Sequence, residues 1–501
     1  MKLFQLDFIT DKAKLRYLRI LRELELNDYC ESEALTIATN SSLRSIVSDI
    51  RYLRDFFAEV ASLESTNLGY AMKKIDSEAY DQLKRTLFEE EPLYVILRSI
   101  CLGGKHSLRY WADKLHLSES TLLKYLKSVQ SDLENYGLQF ATNPVNLVGD
   151  EIDIRTFFLD FYYESEVTAH ALEPSVLELR AVEKLVQQLP HLEFGLSSIR
   201  YLSFLLYFSL KRSVSGNQVE LKQTINELVQ KDPDYALFKW KYERIVQQFF
   251  NVQLSEAECS YVYLLAIGNR KIKNHELEHQ FCEKYNRWPE IKQIIIDIGQ
   301  YERFAFLAKQ DVIFIEAFLT TATLRSRLSL AANKNTVDVN EYVARLFNEE
   351  YTEMLAALQK SQAARQLFAN ELLPDIAVQL TLLLESLKNQ IKNKYQNIAF
   401  ILEENKVLSL YIESWISKYV GRFKNVFFPS LREVRREFFI ENNIDLLVTN
   451  ESLYVTRFES VVQCLIIKSM PDATDLNHLL ELVNPATLRH FELKDRKKTL
   501  E

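Results

Sequence analysis

Apolar residues along this chain recur at helical spacing almost throughout, and the exceptions mark its organisation. Leu15, Leu18, Leu21 and Leu24 stand at three-residue steps within residues 11–25, the stripe of an amphipathic helix. A short helix is predicted over Glu31 to Ala38. Asn40, Ser41 and Ser42 then cap a third, in which Leu43, Ile46, Val47, Ile50 and Leu53 share one face. The stretch Glu59 to Lys74, turning at Asn67-Leu68-Gly69-Tyr70, predicts a β-hairpin. Three helices and a hairpin make a winged helix-turn-helix. The pattern then repeats, with a helix from Pro92 to Leu102 that has Pro in its first turn, and another from Leu108 to Leu115. His116-Leu117-Ser118 forms the turn. Ser118 caps a long helix reaching about Tyr136, which buries Leu122, Leu126, Val129 and Leu133 and stops at Gly137. Leu138 to Ile154 is the second wing.

From Ile152 to Gln390 the pattern is nearly all helix, with long apolar stripes such as Ile199 to Phe208. Trp288-Pro289 divides this stretch into two halves of similar order. Each runs through a Tyr-rich stretch into an acidic-then-apolar helix, Ser255–Glu258 into Tyr261–Ile267 and Pro374-Asp375 into Ile376–Leu384, a weak internal repeat. After Lys394 the period changes. Strands are predicted over Asn397–Leu402, Asn425–Phe428, Ile444–Val448 and Val461–Lys468. Helices are predicted over Lys406–Val420, Leu431–Glu441 and from Asp472 to Leu482. Alternation of this kind indicates a small α/β domain with a parallel sheet.

Composition agrees with a mainly α chain. There are only 10 Gly and 10 Pro among 501 residues, too few for many tight hairpins. A length of 501 residues calls for several domains. The five cysteines are scattered and odd in number, which fits a reducing cytoplasm. Met1 to Asp7 meets an acidic residue before any apolar run, so no signal peptide is expected, and no window suits a membrane span. A net charge of −8 argues against indiscriminate coating of nucleic acid. It leaves room for a local basic face. Between Lys105 and Lys127, five basic residues (Lys105, Arg109, Lys114, Lys124, Lys127) outweigh Asp113 and Glu119.

The two helix-turn-helix patterns carry the most specific chemistry. In such a unit the third helix enters the major groove of double-stranded DNA, and its polar N-terminal face meets phosphates and base edges. The first unit offers Ser41, Ser42, Arg44, Ser45 and Ser48, opposite a buried Leu43-Ile46-Val47 face. The second offers Lys105, Ser120, Thr121, Lys124, Lys127 and Ser128. Hydroxyls and cations suit a polyanion, although an ordinary solvated helix face has the same look. His275-Glu276-Leu277-Glu278-His279 spells H-E-x-x-H, which on a helix could hold zinc with Glu276 as general base and Glu302 as a third ligand. Its flanks are charged on all sides, unlike the apolar flanks of a zinc-peptidase helix, and a solvated helix with i, i+4 pairs is the better reading. Gly103-Gly104-Lys105 lacks P-loop spacing, since position 99 is Ser and position 106 is His, and reads as a turn. Tyr110, Trp111 and Tyr125 could stack on bases or fill the core. No cofactor, catalytic residue or metal is expected.

Tandem helix-turn-helix units, two helical repeats and a terminal α/β domain, in this order, resemble the Mga-type regulators of Gram-positive bacteria, the family of Mga and AtxA, with local similarity strongest in Ser107–Leu138. The resemblance implies a first winged helix-turn-helix over residues 1–75 and a Mga-type second over 76–160. It implies domains similar to phosphotransferase-system regulation domains (PRDs) over 161–288 and 289–394, and a domain similar to an enzyme-IIB component over 395–501. It implies a cytoplasmic virulence regulator, an activator that binds promoter DNA as a homodimer or higher oligomer. Proteins of the sugar phosphotransferase system would be possible partners. The PRD pattern E-x-x-Y-h-x-x-H falls on Glu258 to Leu265, where Leu265 replaces the histidine. The matching place in the second repeat falls near Leu382, and the H-L-x-P-A pattern near Phe318. No histidine occurs between His279 and His478, so the second repeat cannot be phosphorylated on histidine. The loop that holds the IIB cysteine is Glu403-Glu404-Asn405-Lys406, without cysteine, and Cys464 reads as a small core residue. The rival readings are a PRD-type RNA-binding antiterminator and a zinc peptidase built on His275 and His279.

Overall fold

The computed structural model describes residues 3–163, 172–189, 196–270, 275–301, 304, 312–335, 337–391, 397–402, 425–429, 433–468, 478–479 and 482–483. The chain forms two compact units, Met1–Thr381 and Leu382–Glu501. It is mostly helical, with a small parallel sheet near its C-terminus.

After a short turn of helix, Leu3–Leu6, the first unit runs through three helices, Lys12–Leu26, Ser32–Thr39 and Leu43–Phe56. A hairpin follows, made of strands β1 (Ala61–Thr66) and β2 (Gly69–Lys74), and then an unpredicted helix, Ser77–Thr86. Asp11 caps the first helix by accepting the amides of Ala13 and Lys14, and Ser42 caps the third by accepting that of Ser45. The third helix buries Ile46, Ile50 and Leu53, but not the face expected for it. Leu43 and Val47 are 53% and 51% exposed. Asp49 takes the inward position instead, because the Arg16 guanidinium meets it with two hydrogen bonds of 2.7 and 3.1 Å.

The same succession recurs as helices Pro92–Cys101, Leu108–Lys114 and Glu119–Ser128, then strands β3 (Gln139–Thr142) and β4 (Val145–Val148). Two expectations need correcting here. The helix after Ser118 does not run unbroken to Tyr136. It stops at Ser128, whose hydroxyl donates to the Tyr125 carbonyl, and resumes as Gln130–Glu134 beyond the non-helical Val129. The wing ends before Asp150, which caps a helix over Glu151–Phe158 by accepting the Ile152 amide, so Ile152 and Ile154 are helical core rather than strand.

The N-terminal residues lock this part together. Phe8 packs on Phe157 and Phe161, and the Tyr94 hydroxyl donates to the Gln5 carbonyl at 2.8 Å. Buried Glu91 accepts from both the amide and hydroxyl of Thr10 and pairs with Lys14. Helices then continue to Ile391, among them Leu196–Val214, Pro233–Phe250, Glu256–Gly268, His275–Tyr285, Glu290–Gly299 and Val312–Leu328. Trp288-Pro289 lies between the His275–Tyr285 and Glu290–Gly299 helices.

One ion network sits at the centre of this helical mass. Arg155, fully buried, donates to both oxygens of fully buried Glu258 at 2.7 and 2.8 Å and to Glu151 at 2.9 Å. Arg212 pairs with Glu151 at 2.6 Å and donates to the Ile100 carbonyl at 2.9 Å. The Val219 amide donates to Glu258. Burial opposes the charge on Arg155, but the Glu258 carboxylate outweighs it and raises the pKa.

The second unit contains strands β5 (Asn397–Ile401), β6 (Asn425–Phe427), β7 (Leu446–Thr449) and β8 (Gln463–Ile466), all parallel, in the order β6-β5-β7-β8. Alternate residues feed opposite faces. Ile398, Phe400, Leu446 and Val448 pack on one side, and Ala399, Ile401 and Leu447 on the other with Phe439, Tyr454 and Phe458. Helix Arg436–Glu441 lies within the range predicted for it, and a further helix, Ser452–Phe458, was not foreseen. The predicted helix Lys406–Val420 and the loop 403–406 lie outside the described residues, as does most of the helix predicted from Asp472 to Leu482.

Removing one partner of the central pair strands a buried charge, so Glu258→Ala or Arg155→Ala should each cost about 3–5 kcal/mol. Replacing both by apolar residues of similar volume, Arg155→Met with Glu258→Leu, should cost clearly less than either single change. Urea unfolding of the three variants checks the ordering.

Candidate nucleic-acid interface

The two helix-turn-helix patterns superpose in sequence at a fixed offset of 76 positions, and the structure shows what fixes it. In each, the segment between the first two helices pairs with the hairpin: Cys30 bridges Tyr70 of β2, and His106 bridges Val145 of β4. In each, the second helix is followed by a left-handed residue, Asn40 at φ 48° and His116 at φ 55°. Two residues later comes the serine cap, Ser42 or Ser118. The offset is the same for all three features (30 to 106, 40 to 116, 42 to 118). Gly69 makes the first bridge possible. Its φ is +119°, and a side chain there would run into the Cys30 carbonyl at 2.1 Å.

The buried residues of the third helices obey the offset too. Ile46, Ile50 and Leu53 correspond to Leu122, Leu126 and Val129, all buried. The outward face is therefore equally determined. In the second unit it carries Ser120, Lys124, Lys127 and Ser131, all exposed and at helical spacing, with Glu119 at the first helical position beside it. The equivalent positions in the first unit are Arg44, Ser48, Arg51 and Asp55, also exposed. Arg51, the counterpart of Lys127, was missed by sequence reasoning. Superposing the two serine caps would have found it.

The hydroxyl residues divide by their bonds. Ser118 accepts the Thr121 amide at 3.1 Å, and its hydroxyl also meets those of Ser120 and Thr121 at 2.9 and 2.8 Å. Ser42 and Ser45 form a similar pair at 3.0 Å. Half-buried Ser41 donates to the Thr39 carbonyl, and exposed Ser128 points its hydrogen back into its own helix. Ser41 and Ser128 thus serve local structure, whereas Ser48 and Ser120 lie on the outward face with the cations. Lys105 is exposed in the turn before the Leu108–Lys114 helix, next to His106, which stacks on Tyr110 at 4.1 Å. Lys114 lies over Trp111 at 5.3 Å. Trp111 is core at 1% exposure, Tyr125 packs half-buried against the core, and Tyr110 is 40% exposed.

The competing motifs find ordinary explanations. His275 and His279 are exposed, and His279 lies 3.7 Å from Glu283. Glu278 is fully buried against Arg270, at a distance of 2.5 Å. Glu302 lies outside the described residues. Among the described residues no group of His, Cys, Asp and Glu is arranged to hold a metal ion. Gly103, at φ +84°, makes the turn that brings the chain to Ser107, the cap of the next helix. Glu258 and Tyr261, read as part of the PRD pattern, are respectively the partner of Arg155 and a ring 5.6 Å beneath it. Leu265 is buried in the same helix. Burial pushes the thiols of Cys101, Cys259 and Cys282 up to about 12 and raises that of Cys464, the opposite of a phosphate-accepting thiolate.

A Mga helix-turn-helix domain is matched over residues 76–162, the stretch that contains the second capped helix and its hairpin. The capsule synthesis positive regulator AcpB of Bacillus anthracis is 22% identical over 456 residues, covering 84% of this chain and 92% of that protein. The anthrax toxin expression trans-acting positive regulator of Bacillus anthracis is 21% identical over 392 residues, 76% of this chain and 78% of that protein. Over most of its length the chain is thus similar to Mga/AtxA-type regulators. A putative trans-acting regulator of Streptococcus pneumoniae serotype 4 is 22% identical over half of each chain, 50% and 51%. All three relatives are named as regulators. Among the described residues no helix is long and apolar enough to cross a membrane.

The caps give a direct test of this geometry. Ser118→Ala should lower stability by about 1 kcal/mol, since the Thr121 amide loses its acceptor. Ser120→Ala should stay within about 0.5 kcal/mol of the parent. The shift of the urea midpoint at constant slope distinguishes them.

Proposed function

We propose that this chain is a sequence-specific DNA-binding activator of transcription, and that the Glu119–Ser128 helix is its main reader of double-stranded promoter DNA. The observation that carries this is the coincidence of the Mga helix-turn-helix match with an outward face on which Ser120, Lys124 and Lys127 stand without a carboxylate among them. Cations there neutralise phosphates, and residues at the helix start reach base edges. The first helix triplet with its hairpin is a second winged helix-turn-helix that adds affinity through Arg44, Ser48 and Arg51. The names of the relatives, positive regulators of capsule synthesis and of toxin expression, support an activating role. No observation favours RNA, and a comparison of duplex DNA with hairpin RNA in filter binding separates the two.

The helical halves, 161–288 and 289–394, are PRD-like, and 395–501 is a IIB-like domain that no longer transfers phosphate. Leu265 at the histidine position and the raised Cys464 thiol support this reading. The domain persists because it associates. Its edge strand β8 leaves Ile466 52% exposed, and Ile440 and Leu453 are 61% and 68% exposed. The assembly is a homodimer or higher oligomer, and contact with phosphotransferase-system proteins would be by docking rather than by phosphate transfer.

Each neutralised phosphate adds about 0.9 to the slope of log affinity against log salt. Lys124→Ala with Lys127→Ala should weaken promoter binding and flatten that slope by nearly two units, with the fold intact because both side chains are exposed. Arg51→Ala should flatten it by about 0.9. Unchanged binding by the double lysine variant at every salt concentration would exclude this helix as the reader.

A stable interface buries at least about 1,000 Å². Deleting residues 395–501 should therefore move the protein toward monomer in sedimentation, while an unchanged mass distribution would assign association to the helical part.

A further inference from the structure

A cavity of about 520 Å³ lies within the first unit, where the segment after the second hairpin meets the helices that follow. That volume suits a small organic molecule. Its polar wall brings together residues far apart in sequence: Asp160, Asn269, Arg325, Lys334, Asn335 and Gln379. Two cations face one carboxylate. The amides are held in fixed orientations. Gln379 donates to the Asn333 carbonyl at 2.9 Å and to Asn335 at 2.8 Å, and Asn335 donates to Asn340 at 3.0 Å. Arg325 is aimed by donating to the Gly268 carbonyl at 3.0 Å and to Asn269 at 3.2 Å. Tyr163 and Tyr201 supply aromatic wall. Burial lowers the Lys334 pKa despite Asp375 and Glu371, so its charge gains from any anion brought near. Asp375 is itself occupied by the Asn335 amide and by Asn340, each at 3.0 Å.

The wall also reaches the second helix-turn-helix at two adjacent residues. Asp160 accepts from the Tyr136 hydroxyl at 2.8 Å, and Lys334 donates to the Asn135 side chain at 3.2 Å. Asn135 and Tyr136 close the Gln130–Glu134 helix and lead into β3. Asp160 itself projects from a π-helical turn, Leu159–Tyr163, a local geometry common at functional sites. We propose that this cavity is an effector site for a small organic anion, a carboxylate or a phosphate monoester, and that drawing Lys334 onto the ligand releases Asn135 and so alters the second helix-turn-helix. The effect on DNA rests on the function proposed above, whereas binding in the cavity does not.

The test uses the full chain. Succinate and glucose 6-phosphate are each compared with sodium chloride at matched ionic strength and with neutral glucose, reading the melting temperature. At least one anion should raise Tm by about 2 °C or more beyond chloride. Arg325→Gln and Lys334→Gln should each weaken its binding tenfold or more. Ala332→Phe, which keeps both charges but fills the space, should abolish it, with circular dichroism and unliganded melting verifying that each variant folds. The site is overturned if neither anion exceeds chloride, or if the Tm rise survives in Ala332→Phe. For the coupling, the stabilising anion should change promoter affinity about fivefold or more in the parent and not in Asn135→Ala. Tight binding of the anion with unchanged promoter affinity overturns the coupling alone. A chain that binds no DNA overturns the coupling together with the proposed function, while the melting result still decides the site.

Discussion

The arrangement of the large unit depends on a guanidinium that cannot be left alone. Arg155 is fully buried, and its charge is tolerable only while Glu258 receives it in a two-pronged contact and Glu151 completes the set. Those groups come from helices Glu151–Phe158 and Glu256–Gly268, and Arg212 adds Leu196–Val214 through its pair with Glu151. The Ile100 carbonyl brings in the first helix of the second helix-turn-helix. Apolar packing would accept many offsets between these cylinders, whereas the network accepts one. Any packing that separates Arg155 from Glu258 leaves an unpaired charge in the core. The second helix-turn-helix is thereby held to the helical part by a device that is costly to break.

The turn between the second and third helices imposes a second constraint. A left-handed residue, one intervening residue and a serine cap set how the third helix leaves the second, and the hairpin bridge at Cys30 or His106 sets where the wing stands. Once these are fixed, the inward positions follow from the helical repeat, and the outward positions follow from the inward ones. A chain of net charge −8 can in this way present an outward face whose ionised groups are Lys124 and Lys127.

Much of this was legible in the sequence because the strongest signals are local. Serine caps, Gly69 in a hairpin and leucines at three-residue steps determine conformation within a few positions, and each element they announced is present, the one capped by Ser118 in two pieces. What escaped depends on partners distant in the chain. Leu43 and Val47 looked like core by spacing, but the inward face goes to Asp49 because Arg16, on another helix, meets it. The pattern over Glu258 to Leu265 gave no sign that Glu258 pairs with Arg155, 103 positions earlier. The break at Val129 and the missed Ser77–Thr86 helix arise where propensity is weak and tertiary contact decides. Arg51 went unnoticed for a different reason, since each helix was read by itself and not against its duplicate.

The same reasoning bears on why polar groups should line a cavity beside so tightly packed a core. Interiors normally close such spaces, because an unfilled void forfeits contacts on every wall. Here the wall is assembled from sequence positions 156 to 379, and its polar residues hold one another open: Gln379 is tied to Asn335, Asn335 to Asn340 and Asp375, and Arg325 to Gly268 and Asn269. Collapse would break these bonds without providing others, so the space persists for a structural reason. Its position has a further consequence. Asp160 lies five residues beyond Arg155, so the helix that anchors the network continues into the π-turn that forms the cavity wall. Rigid anchoring on one side and the paired contacts to Asn135 and Tyr136 on the other leave the helix end before β3 as the element a change in the cavity can move.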